Sequence, residues 1–171
     1  MSKYWRNLRY EIPLHIVLII TNLLPDNVIF LRLRGFLVRP FLGTCGSNFR
    51  IGRNITFYNP INIHIGSDVY IAYGCWFMAS EEIRIADSIL FGPYCVVVSS
   101  NHTKKDGSYR FGIPQTAPIK IGFGSWIGAK AVITAGTNIG NGVLVAAAAV
   151  VKGDIPDSVV IGGIPACIIK R

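Results

Sequence analysis

His102, in the run Ser99-Ser100-Asn101-His102, is the residue whose type best suits chemistry. Its imidazole titrates near neutral pH, so it can take the proton of a hydroxyl or amine as that group becomes a nucleophile. Cations follow it closely. Lys104, Lys105, Arg110, Lys120 and Lys130 are opposed across their span only by Asp106, which gives the neighbourhood an attraction for phosphates and other anions. The other histidines suggest less: His15 lies in an apolar stretch with helical spacing, and His64 alternates outward between Ile63 and Ile65. Cys45, Cys75, Cys95 and Cys167 contain no CxxC pair and stand in no His/Cys cluster with ligand spacing, so no metal is expected and the four read as thiols of a reducing compartment. No Gly-x-Ser-x-Gly elbow supplies a covalent nucleophile.

The element that must position His102 is a repeat. Ile121, Ile127, Ile133, Ile139, Val145 and Val151 recur at every sixth residue, and the small or β-branched Ser125, Ala131, Thr137, Val143 and Ala149 follow the first five at four residues. Glycine or alanine often comes directly after the aliphatic, as at Gly122, Gly128, Gly140 and Ala146. Ile65, Ile71, Phe77 and Ile85, Phe91, Val97 keep the same register upstream, and Ile51 and Phe57 begin it. A period of six is neither the 3.6 of a helix nor the 2 of a strand. It predicts a coil of three short flat strands with 18 residues per turn. The aliphatics point into a triangular interior, the small residues fill the corners, glycine relieves the turns, and coils stack about 4.8 Å apart. Cys75 and Cys95 then fill inward slots on adjacent coils. Two extra residues fall between Phe77 and Ile85, placing Glu81 and Glu82 in an enlarged corner. Continuing the register past Val97 would bury Thr103, Tyr109 and Gln115, so residues 98–120 are expected to leave the coil as a long loop with His102 at its departure point.

A chain of 171 residues with 51% hydrophobic and 15% charged content suits one compact domain and excludes disorder. Its net charge of +8 favours anionic partners, but the cations are spread and no recognition motif accompanies them, so nucleic acid is not expected. Residues 1–44 differ from the rest. Lys3, Arg6, Arg9, Arg32, Arg34 and Arg39 face only Glu11 and Asp26, among bulky aliphatics at helical spacing. One or two short helices are predicted, with Pro13 in a first turn, a break at Pro25 and Asp26, and further punctuation at Gly35 and Pro40. The best spanning candidate, Ile12 to Leu24, contains Pro13, His15 and Asn22 and is too short to cross a membrane. Two roles stay open for this segment: a peripheral contact with an anionic membrane surface, or a cap on the first coil.

The runs Ser-Trp-Ile-Gly-Ala (125–129), Ala-Gly-Thr-Asn-Ile-Gly-Asn-Gly (135–142), Ala-Val-Val-Lys-Gly-Asp-Ile-Pro (149–156) and Ser-Val-Val-Ile-Gly-Gly-Ile-Pro-Ala (158–166) resemble the hexapeptide-repeat acyltransferases, in particular the sugar and polysaccharide O-acetyltransferases. The resemblance covers residues 45–171. It implies an all-β, left-handed parallel β-helix, here a domain over 45–160 preceded by the helical segment and followed by a tail over 161–171. It further implies a homotrimer that moves acetyl from acetyl-CoA to a hydroxyl or amine of a sugar, in sites between neighbouring subunits. His102 matches the family's catalytic histidine. Trp126 matches a residue at the active site, whereas its outward register alone suggests a subunit contact. Ala129 and Ala147 are implied as main-chain contacts to the cofactor, with Lys152, Gly153 and Lys170 near its phosphates. The cation stands one place earlier than in relatives, and Ala146 and Ala148 flank Ala147 where they carry glycine. Asn101, Glu81 and Trp126 are the candidate acceptor contacts. Ala72 and Ser80 stand where galactoside and maltose enzymes carry an Asn and an Asp, so a different acceptor is expected, in the setting of surface polysaccharide and on the cytoplasmic side. An amino sugar or other small acceptor, and a non-catalytic β-helix scaffold, are the rival readings.

Overall fold

The computed structural model describes residues 3–170; Met1, Ser2 and Arg171, the outermost residues of the two expected terminal segments, lie outside the described residues. Three parallel sheets form the sides of a prism. Sheet I stacks Thr44–Cys45, Ile63–Ile65, Ile83–Ile85, Ile119–Ile121, Asn138–Ile139 and Asp154–Ile155. Sheet II stacks Arg50–Ile51, Tyr70–Ile71, Leu90–Phe91, Trp126–Ile127, Leu144–Val145 and Val160–Gly163, and ends in the antiparallel Ala166–Lys170. Sheet III stacks Thr56–Tyr58, Trp76–Met78, Val96–Val98, Val132–Ile133 and Val150–Val151.

The period of six is what closes this prism. Ile65, Ile85, Ile121 and Ile139 pair in register down sheet I, and Ile71, Phe91, Ile127 and Val145 do so down sheet II. The interior column Ile51, Ile71, Phe91, Ile127, Val145 and Ile161 is 0% exposed throughout. Phe57, Phe77 and Phe91 pack in sequence with centroids 5.3 and 5.4 Å apart. Each aliphatic is thus held by its copies above and below as well as by the opposite sides, the nearest-neighbour logic of a solenoid.

The glycines after the aliphatics serve a different purpose from the one expected. A Cβ at Gly128 would lie 2.6 Å from the Val145 carbonyl oxygen and 2.7 Å from the Ala147 nitrogen, so glycine answers to close approach between coils. The left-handed turn comes two residues later. At the corner between sheets II and III it is taken by Gly74, Tyr94, Lys130 and Ala148, with φ of 73°, 61°, 62° and 60°.

The N-terminal segment forms α1 (Lys3–Arg6), a π turn (Asn7–Glu11), α2 (Ile12–Thr21) and α3 (Val28–Val38). Asn27 starts α3 by accepting from the backbone N–H groups of Ile29 and Phe30, both at 3.1 Å. Gly35 does not end that helix. It sits in its interior because a Cβ there would run into the Phe49 carbonyl of the first coil. Arg34, one of the segment's six cations, is 1% exposed. It donates to the carbonyl oxygens of Ile51 (2.7 Å), Thr21 (3.1 Å) and Leu24 (3.2 Å) and to Asp26 Oδ1 (3.2 Å). Burial lowers its pKa from the usual value and Asp26 opposes that shift. Asn22 Oδ1 accepts from Asn54 N at 2.9 Å. These bonds satisfy edge groups that the first coil would otherwise leave open, so the helices do cap it.

Candidate active site

The excursion is an ordered hairpin. Ser100–Asn101 pairs antiparallel with Gln115–Thr116, and Lys105 and Ser108 exchange two backbone hydrogen bonds of 2.9 Å around Asp106 and Gly107, both at positive φ. An Asp-Gly pair suits such a two-residue turn, a signal the sequence carried. The detour is shorter than 98–120: Val98 still pairs with Met78, and Ile119 already pairs with Ile83.

The base of the hairpin is clamped by Ser99, which is fully buried. Its Oγ donates towards the carbonyl oxygens of Glu81 (2.9 Å) and Met78 (3.2 Å) and accepts from Glu81 N at 2.8 Å. The enlarged corner at residues 79–82 therefore holds the strand that ends at Asn101, and His102 follows directly. His102 is exposed, and its ring has no hydrogen-bond partner among the described residues. An exposed imidazole on a braced strand end can meet an outside hydroxyl.

Glu81 does not reach His102; its Oε2 meets Thr116 Oγ1 at 3.5 Å, on the strand beside Asn101. Glu82 is turned towards sheet I, 2.7 Å from Arg84 Nε and 3.3 Å from His64 Nε2. The Arg84 hydrogen bond holds its carboxyl below the ordinary range. His15 binds the Glu11 carbonyl through Nδ1 at 2.7 Å within the helix.

The remaining candidates divide between two edges of sheet III. At its edge with sheet I lie Glu81, Asn101 and His102 and, two coils further on, Lys152 and Gly153. At its edge with sheet II lie Ala129 and Ala147 on successive coils, the Ala148 N–H donating to the Ala129 carbonyl at 2.8 Å. Trp126 stands on sheet II, 51% exposed, between Leu90 and Leu144 in register. Lys170 is beside Val160 on the terminal hairpin. Sheet III itself turns Val96, Val132 and Val150 outward in one row and Tyr58, Met78 and Val98 in another. A trough of about 590 Å³ runs over sheet I past His64, Arg84, Lys120 and Asn138, and none of the candidate residues lines it.

Cys75 and Cys95 are buried, as their register requires; Cys75 Sγ lies 3.2 Å from the Gly92 carbonyl oxygen. The hydrogen bond with Cys95, together with burial, pushes the Cys75 thiol well up, so it is no nucleophile. Cys75→Ala is expected to leave turnover unchanged and to cost about 1 kcal/mol of stability, read by steady-state rate and thermal melting. Among the described residues no group of three or more His, Cys, Asp or Glu side chains could hold a metal ion.

No model of a known protein family matches the chain. The Escherichia coli protein named "Putative lipopolysaccharide biosynthesis O-acetyl transferase WbbJ" is 31% identical over 144 residues, covering 75% of this chain and 68% of its own length. A maltose O-acetyltransferase from Clostridium difficile superposes with a TM-score of 0.82 at 30% identity, over 92% of this chain and 83% of that one. The chain belongs to the hexapeptide-repeat acetyltransferase family. A galactoside acetyltransferase solved in complex with coenzyme A gives a TM-score of 0.85 at 26% identity, over all of this chain and 84% of that one. This hexapeptide-repeat chain is accordingly an acetyltransferase, and its β-helix is left-handed. The period of six carries no information on the hand of the coil.

Proposed function

We propose that this protein transfers acetyl from acetyl-CoA to a hydroxyl of a saccharide destined for surface polysaccharide, with His102 as general base, in sites shared between subunits of a homotrimer on the cytoplasmic side. The observation that carries the reading is the division of the candidate residues between the two edges of sheet III, with an outward face of valines between them. Three prisms that bury this face against one another would set the His102 edge of one copy beside the Ala129 and Trp126 edge of the next. The backbone N–H groups of Ala129 and Ala147 make no hydrogen bond among the described residues, so both are available to the amides of a pantetheine arm. Lys152 and Lys170 are exposed and can meet its phosphates.

His102 takes the acceptor proton as the hydroxyl oxygen forms its bond to the thioester carbonyl carbon. When the carbon–sulfur bond breaks, the imidazolium returns that proton to the departing thiolate. Backbone donors at the adjoining edge stabilise the oxyanion in between. Ala72 and Ser80 remove the side chains that would hold a galactoside or maltose, and the lipopolysaccharide relative supports a larger glycan. All four cysteines are free, which suits a reducing compartment.

The shared site makes a specific demand. Assayed with acetyl-CoA well below the native KM, co-expressed His102→Ala and Trp126→Ala chains should form mixed trimers more active than either parent, because some interfaces then combine two intact halves. Activity no higher than the parents' would refute the sharing. Trp126→Ala alone is expected to raise KM by about tenfold through lost apolar contact, measured by coenzyme A release.

A further inference from the structure

The cap that seals the first coil leaves its outer side apolar. Ile12, Ile16, Ile19 and Leu23 recur at helical spacing along α2 and its C-terminal end, and Ile19 and Leu23 are 68% and 85% exposed. Ile29 and Phe36 add to this face from α3 at 73% and 70%. The opposite side of the same helices, Leu14, Leu18, Arg34 and Val38, is buried against the prism. A soluble monomer rarely leaves so many large apolar side chains together in water.

Charge separates the candidate occupants. Arg9, Arg32 and Arg39 are exposed around this face. Of the segment's two acids, Asp26 is already held by Arg34 at 3.2 Å and Arg53 at 3.5 Å, leaving Glu11 alone. A second copy of so basic a face would repel the first. A cavity of about 200 Å³ beside the face is lined by Arg32, Arg39 and Phe36, two guanidinium groups next to an apolar ring. Guanidinium pairs suit phosphate, and the adjoining aliphatics suit acyl chains. Among the described residues no helix is long and apolar enough to cross a bilayer, so the contact is superficial.

We infer that the outer face of α2 and α3 docks on an anionic membrane surface, with a phospholipid headgroup taken by Arg32 and Arg39 and the isoleucines and Phe36 entering the acyl boundary. The cap and the membrane contact are then two sides of one element. A trimer as proposed carries three such faces on one assembly, so the contact would be multivalent.

Partition onto vesicles tests this without acetyl-CoA or acceptor, so its outcome is independent of the transfer reaction. The full chain is expected to sediment with vesicles of equal parts phosphatidylglycerol and phosphatidylcholine and to stay in solution with phosphatidylcholine alone. Ile16→Ser with Ile19→Ser, both solvent-facing, should weaken partition about tenfold or more. Arg32→Gln with Arg39→Gln should weaken it about fivefold per cation, with circular dichroism and sizing unchanged in both variants. Failure of the native chain to partition would overturn the inference, as would partition indifferent to both variants. A serine variant that falls to a smaller species on sizing would assign the face to contact between copies instead.

Discussion

His102→Ala is expected to lower the rate of acetyl transfer by about 10²–10⁴-fold, the usual contribution of a positioned general base. The loss should fall on kcat with little change in KM for acetyl-CoA, because in the proposed mechanism the imidazole acts on the acceptor proton and the thioester is held at the neighbouring edge. Folding should be untouched, since the ring has no partner among the described residues to lose and the strand before it is fixed by Ser99. Steady-state kinetics with free coenzyme A as readout, beside sizing of the variant, separates this from a structural effect. A variant that is trimeric and still turns over at the native rate would remove His102 from the chemistry.

Arg34→Leu should have the largest effect on stability. The guanidinium answers three backbone carbonyls and Asp26 at a site 1% exposed, and the leucine would take this donor from the Ile51 and Leu24 carbonyls, while Thr21 keeps Leu24 N and Asp26 keeps Arg53. Two carbonyls left without their donor at about 1–3 kcal/mol each cost about 2–5 kcal/mol together. For a chain of this size that corresponds to a fall in melting temperature of about 10 °C, provided α2, α3 and the coil melt together. Arg34→Lys should lose less, because one ammonium can still meet part of the set but not the forked pattern. A melting temperature unchanged in Arg34→Leu would mean that the helices are not needed to seal the first coil.

The coil was legible because each inward position meets the same demand at every turn. Ile71, Phe91, Ile127 and Val145 solve one packing problem repeatedly, so the register can be counted along the chain and the departure after Val97 stands out. Single events were less legible. Nothing local tells Arg34 from the exposed Arg32, since its partner Ile51 is distant in the chain and is brought close only by the cap. Gly35 looked like a helix stop because the carbonyl of Phe49 that requires it belongs to another element. The glycines after the aliphatics were assigned to turning, whereas the turn falls on residues such as Lys130 and Ala148.

The candidate site divides in the same way. His102 stood out as the candidate base from its type, its place at the end of the coil and the family resemblance together. The clamp that holds it, Ser99 against the corner at residues 79–82, depends on a buried hydroxyl that the register alone did not single out. That Lys152 and Ala147 occupy opposite edges of sheet III, though five residues apart in sequence, follows only from the three-sided coil.

The central claim is tested most directly by release of free coenzyme A from acetyl-CoA across a panel of sugars, nucleotide sugars and oligosaccharides, comparing the native chain with His102→Ala. Release that requires a saccharide acceptor and disappears in a variant of unchanged oligomeric state is the predicted result. Equal release by the two proteins, or no release with any acceptor together with no binding of acetyl-CoA, would contradict it.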